Sequence, residues 1–288
     1  MTSLFVFAFL VRLAYLMEIQ ETDFFSILVG DGHVYDAWAL AIQDNWLGND
    51  VFYQAPLYPY FLAAIYSLFG HDFLAVRVIQ MALGSAACVL LALAGRLFFS
   101  ARIGLLAGFL LAIYAPAIFF EGLIQKASLD LFFMTALLFL LGKVESGGGR
   151  RWPMLAGFVL GCLALTRENA LVLLPIIVLW LLWRFRKVCN RQLSMSLFFF
   201  LGTAFVLAPV AARNNWVGGE FIVTTSQFGP NFYIGNHAGA DGKYIPLLWG
   251  HGSALFERGD ATKLAEKALG KRLTPGEVSN FWTARRTA

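Results

Sequence analysis

The residues able to do chemistry in this chain are few, and they stand at the edges of apolar runs. Asp31 lies between Gly30 and Gly32 in "ILVGDGHVYDAWALAIQDN", residues 27–45, with Asp36 and Asp44 after it. A carboxylate flanked by glycines has room beside it for a ligand and can serve as a base. Its simplest role is structural, as the cap that opens a helix from Gly32 to Leu47. Asp36 is five positions on, about 140° round a regular helix, so the two acids do not form one paired site. Four cations share a similar setting: Arg77, Lys126, Arg167 and Arg213. Helix-end cations often snorkel. Near an acid they also suit the phosphate of a lipid, which arginine grips through two hydrogen bonds. Glu121 is a second candidate acid, and His33 and Tyr35 are neighbours of Asp31.

The elements that must position these groups are membrane helices. Apolar residues make up 59% of the chain and charged residues 14%, well below the roughly 25% of a soluble domain. Seven segments read as spans: 3–17, which contains Arg12, then 74–95, 103–120, 123–142, 153–166, 170–183 and 194–212. The fifth and sixth are short or closely joined. The first lacks the basic start and cleavage site of a signal peptide. The net charge of +4 follows from topology and calls for no nucleic-acid partner. Arg96 and Arg102, then Lys143, Arg150 and Arg151, then Arg184, Arg186, Lys187 and Arg191 fill alternate loops. Lys and Arg collect on the cytoplasmic side, so the N-terminus is expected inside, and residues 18–72 and those after Arg213 outside. Cys88, Cys162 and Cys189 have no metal-ligand spacing and read as small apolar residues.

The long outer loop is predicted to be structured. Tyr35, Trp38 and Ile42 recur at helical spacing and give residues 32–47 an apolar face suited to the membrane surface. Pro56 and Pro59 interrupt the chain, Tyr53, Tyr58 and Tyr60 suit the interface, and a second helix follows. Beyond Arg213, the Val, Ile, Thr and Phe of residues 212–246, broken by Gly and Asn, predict turns and short strands. Residues 261–271 predict a helix. Thr274, Pro275 and Glu277 form the start of another. The chain stops soon after that start, as expected of a fragment or a truncated gene product. The division expected is a transmembrane domain, 1–215, and an outer segment, 216–288.

"GDGHVYDAWALAIQ", "QAPLYPYFLAAIYSLFG" and "AVRVIQMALGSAACVLL" resemble the first part of bacterial membrane glycosyltransferases. These are the dolichyl-phosphate-mannose-protein mannosyltransferase family and its aminoarabinose-transferase relatives. "RNNWVGGEFIVTTSQFGPNFYIGNHAGADGKY" resembles the outer segment of a bacterial branch. The resemblance implies an all-α polytopic membrane protein with a GT-C-like helix bundle. A structured first outer loop would carry interfacial helices, and a small mixed outer segment would close the chain. It implies Asp31 as general base and a polyprenyl-phosphate sugar as donor. The acceptor, a protein, lipid or wall glycan, would attack with inversion at the outer face of the cytoplasmic membrane. Arg77 matches an arginine of the family pattern, and Glu121 falls where relatives often have an acid. No metal or other cofactor is implied. A lipid-linked sugar flippase or other transporter is the alternative, and a scaffold without activity a third. Charged groups near the midplane, which a transporter would want, are sparse in the second to fourth spans.

Overall fold

A computed structural model describes residues 1–28, 30–187 and 189–285. Its elements are α1 (Thr2–Ile19), α2 (Asp23–Ser26), α3 (Gly32–Asp44), α4 (Leu57–Phe69), α5 (Phe73–Phe98), α6 (Ala101–Ala112) and α7 (Ala115–Gly122). Then come α8 (Ala127–Glu145), α9 (Arg151–Ala164), a 3-10 turn (Glu168–Val172), α10 (Leu173–Arg184) and α11 (Cys189–Gly218). The chain ends in α12 (Phe228–Asn236), α13 (Ala254–Leu269) and α14 (Pro275–Ala284). The described residues divide into two compact units, 1–39 with 57–207, and 40–56 with 208–285.

Helices α1, α5, α8 and α11 are long and apolar enough to cross a membrane. The expected third span is broken instead. Its halves, α6 and α7, meet at 49°, where Tyr114 leaves helical geometry and Pro116 starts the next helix. The fifth and sixth expected spans form helices of 14 and 12 residues. At 1.5 Å per residue each is roughly 20 Å long, short of a hydrocarbon core of about 30 Å. Their ends still agree with the charge pattern. Arg184 Nε donates to both oxygens of Glu145, at 2.8 and 2.7 Å, so the loops after α8 and α10 lie at one end of the bundle.

In the first unit α5 packs against α1, α6 and α8, and α8 packs against α9. Leu137, Leu160, Leu163, Leu181 and Phe199 belong to one of its apolar cores. Small residues bring α9 and α11 together. A Cβ on Gly157 would lie 1.9 Å from the Phe199 carbonyl oxygen, and one on Gly202 2.0 Å from that of Met154. Thr203 Oγ1 donates to the Gly157 carbonyl at 3.1 Å across this contact. Gly202→Val is therefore expected to destabilise the bundle by about 1–3 kcal/mol or more through overpacking. The measurement is the melting temperature in detergent; an unchanged value would mean that the helices do not meet so closely.

The second unit corrects the mixed outer segment. Among the described residues it contains no strand. Residues 221–225, "FIVTT", bend at Val223 and Thr224 and are held by other means. Asn214 Nδ2 donates to the carbonyls of Ile222 and Thr224. Ser226 and Gln227 N–H groups donate to Phe52 and Tyr53 carbonyls. One side chain and two isolated bonds thus do what a ladder would have done, and the β-branched run stays single. Helices α13 and α14 pack through Ala261, Ala265, Val278 and Trp282, and Trp282 Nε1 donates to the Ala261 carbonyl at 3.0 Å.

The capping box read from Thr274 and Glu277 is present. The Thr274 N–H, followed by Lys271, holds the Glu277 carboxylate below its ordinary value. A depressed carboxylate contributes stability above its unfolded pKa and loses it as pH falls through the folded value. Acidification below about pH 4.5 is thus expected to fray α14, with faster amide exchange at residues 276–278. Glu277→Gln should remove that pH response while keeping the helix.

Candidate functional site

The predicted site residues separate into groups. Asp31 opens α3, its main-chain carbonyl accepting the Tyr35 N–H at 3.0 Å. Gly30 has φ +61°, a left-handed conformation that disfavours any side chain. A Cβ there would lie 3.2 Å from Gln125 Nε2, and one on Gly32 3.2 Å from the Ile124 carbonyl oxygen. The glycines thus seat the start of α3 against the turn that leads into α8. Asp31 is half-buried, and its Oδ2 lies 3.4 Å from the hydroxyl of the buried Tyr35.

That hydroxyl reports its surroundings. It is pushed far above the ordinary tyrosine range, first by burial and then by the charges of Asp31, Asp130 and Glu168. Asp31 touches Tyr35, and Asp130 and Glu168 lie near enough for their charges to act on it. Arg167 Nε donates to Asp130 Oδ2 at 3.0 Å, and Lys126 directly precedes α8, half-buried. The remaining Asp130 oxygen, Oδ1, is buried and has no partner among the described residues, as is Ser128 Oγ in the same turn. The result is a half-open acidic and basic cluster formed by α3, the start of α8 and the 3-10 turn.

Other candidates lie elsewhere or are occupied. Asp36 turns away from Asp31, as its spacing requires. It accepts from Tyr66 Oη and pairs with His71 Nε2, both at 2.7 Å. His33 is exposed. Arg77 is buried; its Nε donates to the Gly122 carbonyl at 2.7 Å, its Nη2 to that of Phe25 at 2.8 Å, and it lies 4.2 Å over the Phe25 ring. In the second unit Arg213 donates to the carbonyls of Leu47 and Asp50 and stacks on Phe52. Glu121 is 1% exposed and forms a two-pronged pair with Arg12, at 2.6 and 3.2 Å. Cys88 is buried and Cys162 half-buried, both free thiols; the side chain of Cys189 lies outside the described residues.

Sequence reasoning passed over Asp130, Ser128 and Gln125 as site groups. The available signal was Lys126 and Asp130 one helical turn apart at the start of an apolar run. It also passed over His71, which reaches an acid 35 positions away and has no local signature.

Long apolar helices with a polar cluster at one end define a multi-pass membrane protein whose ionisable groups gather where the helices stop. The family model for dolichyl-phosphate-mannose-protein mannosyltransferases matches residues 53–216, more than half of the 288 residues, and the chain belongs to that family. It is accordingly a membrane glycosyltransferase by family. The matched stretch contains Arg77, Glu121, Lys126, Arg167 and Arg213, and begins after Asp31. No curated protein and no solved structure matches the chain.

Proposed function

We propose that this chain transfers a sugar from a polyprenyl-phosphate donor to an acceptor at the outer face of a bacterial cytoplasmic membrane. Asp31 acts as general base, and no metal takes part. The acceptor gives its proton to Asp31 as it attacks the anomeric carbon. The bond from that carbon to the phosphate oxygen breaks with inversion, and the lipid phosphate leaves with the electron pair. Lys126 and Arg167 balance the developing charge, the kind of preorganised electrostatic help a phosphate leaving group needs. Arg77 and Arg213, already held by main-chain carbonyls, position the chain around them. Glu121, spent on Arg12, holds α7 to α1.

The observation that carries this reading is the half-open cluster around Tyr35, where a half-buried Asp31 shares its surroundings with Asp130 and its partner Arg167. The charge pattern of the loops supports a cytoplasmic N-terminus and an outer position for the cluster.

The test reconstitutes the chain in liposomes with a panel of radiolabelled polyprenyl-phosphate sugars and cell-envelope extract as acceptor. Release of label from one donor into extract, dependent on the chain, is the expected result. Movement of an intact donor across the bilayer, without cleavage of any donor, would instead favour the transport reading.

A further inference from the structure

The opposite end of the first unit holds a cavity that sugar transfer does not use. It has a volume of about 1140 Å³ and lies among the C-terminal ends of α5, α8 and α10 and the start of α11. Arg184, Arg186, Lys187 and Arg191 line it, against a single acid, Glu145. Since Glu145 is engaged by Arg184, the other three cations carry an unbalanced charge. Arg191 lies 4.7 Å over the Phe185 ring, and its Nε is buried without a hydrogen-bond partner among the described residues. A buried guanidinium N–H left open in a basic cavity calls for an anionic acceptor.

The rest of the lining is apolar and includes Leu97, Ile177 and Trp180. Ile176 and Trp183, also in the lining, and Leu179 beside it on α10 are more than half exposed. A soluble anion would leave these walls unused. Helices α5 and α8 are long enough to cross a membrane, so their ends lie at headgroup depth, where basic pockets between helices hold anionic lipid.

We propose that this cavity binds an anionic phospholipid, its phosphate held by Arg186, Lys187 and Arg191 and an acyl chain lying against α10. The lipid is separate from the donor and from the chemistry at Asp31, since it sits at the other end of the helices. It would brace the short α10 against α8 where their connecting loops meet.

The experiment uses the full chain purified in detergent and placed in phosphatidylcholine nanodiscs. Phosphatidylglycerol is titrated in, and retained lipid is counted by native mass spectrometry. The wild type is expected to retain phosphatidylglycerol at least tenfold more tightly than phosphatidylcholine. Each removed cation weakens retention by about fivefold; the R186Q/K187Q/R191Q variant should lose roughly a hundredfold, and R191Q alone about fivefold. An R96Q/R102Q variant, changed at exposed cations of the same end outside the cavity, should retain lipid normally. Equal loss in both multiple variants would reduce the effect to diffuse surface charge and overturn the site. No preference between the two lipids would overturn it as well. So would saturation by inorganic phosphate alone, which would make the ligand a soluble anion. Size-exclusion profiles guard against misfolding of the triple variant, and R191Q alone decides if that variant fails to fold.

Discussion

Asp31→Asn is expected to lower sugar transfer by two orders of magnitude or more while leaving the fold unchanged. Asparagine keeps the size of the side chain and an oxygen that can accept from Tyr35. It also remains a good helix-opening residue. What it loses is the capacity to take a proton, a contribution typically worth 10²–10⁴ in rate. The loss should therefore fall on kcat, with donor KM little changed, since uniform binding is untouched. Chain-dependent release of label, measured at matched expression in the same liposomes, reads this directly. Equal activity of the two proteins would reduce Asp31 to a helix cap. The search would then move to Asp130, whose Oδ1 lies buried and unpartnered in the same cluster.

The second large effect concerns stability. Arg12 and Glu121 are both essentially inaccessible. Arg12 Nη1 also donates to the carbonyls of Ala8 and Ala112, each at 3.2 Å. Gly84 of α5 makes room for the pair, because a Cβ there would come within 2.3 Å of both Glu121 oxygens. Removing one partner of such a pair leaves a buried charge uncompensated, at about 3–5 kcal/mol. Arg12→Met alone and Glu121→Leu alone are each expected to cause that loss, read as thermal or SDS-induced unfolding in detergent. The double variant should recover most of it, since replacing a whole buried pair by apolar groups is often neutral. Activity separates the two roles proposed for Glu121. If the folded double variant still transfers sugar, Glu121 is structural. If it is stable and inactive, Glu121 takes part in the chemistry after all.

The apolar runs made the long helices legible, because burial in lipid demands an unbroken stretch of about 20 residues and no other signal imitates it. The loop helices were legible too: of Tyr35, Trp38 and Ile42, the first and last are buried and Trp38 is half-buried, as an apolar face with a 3.6-residue period requires. What failed had a non-local cause. Residues 221–225 have the composition of a strand, and the choice against pairing was made by Asn214, on the preceding helix. The break between α6 and α7 was partly visible as Pro116, yet its 49° angle depends on packing. Asp31 was found from its glycines. The groups around it were not, because the turn at Gln125 and the pair of Arg167 with Asp130 become neighbours only once three separate segments meet. Arg12 was visible as an oddity inside an apolar run, and nothing near it in sequence named its partner.

That partner lies 109 residues downstream, which gives the ion pair a temporal side. A ribosome adding about 5–20 residues per second needs roughly five to twenty seconds to cover that distance. Through this interval α1 is already made while the carboxylate that will neutralise its arginine does not yet exist. The newly made α1 therefore has to wait at the insertion machinery or the lipid surface, its cation reaching toward water. Only once α7 has been made can α1 settle at its final depth in the bundle with its arginine neutralised.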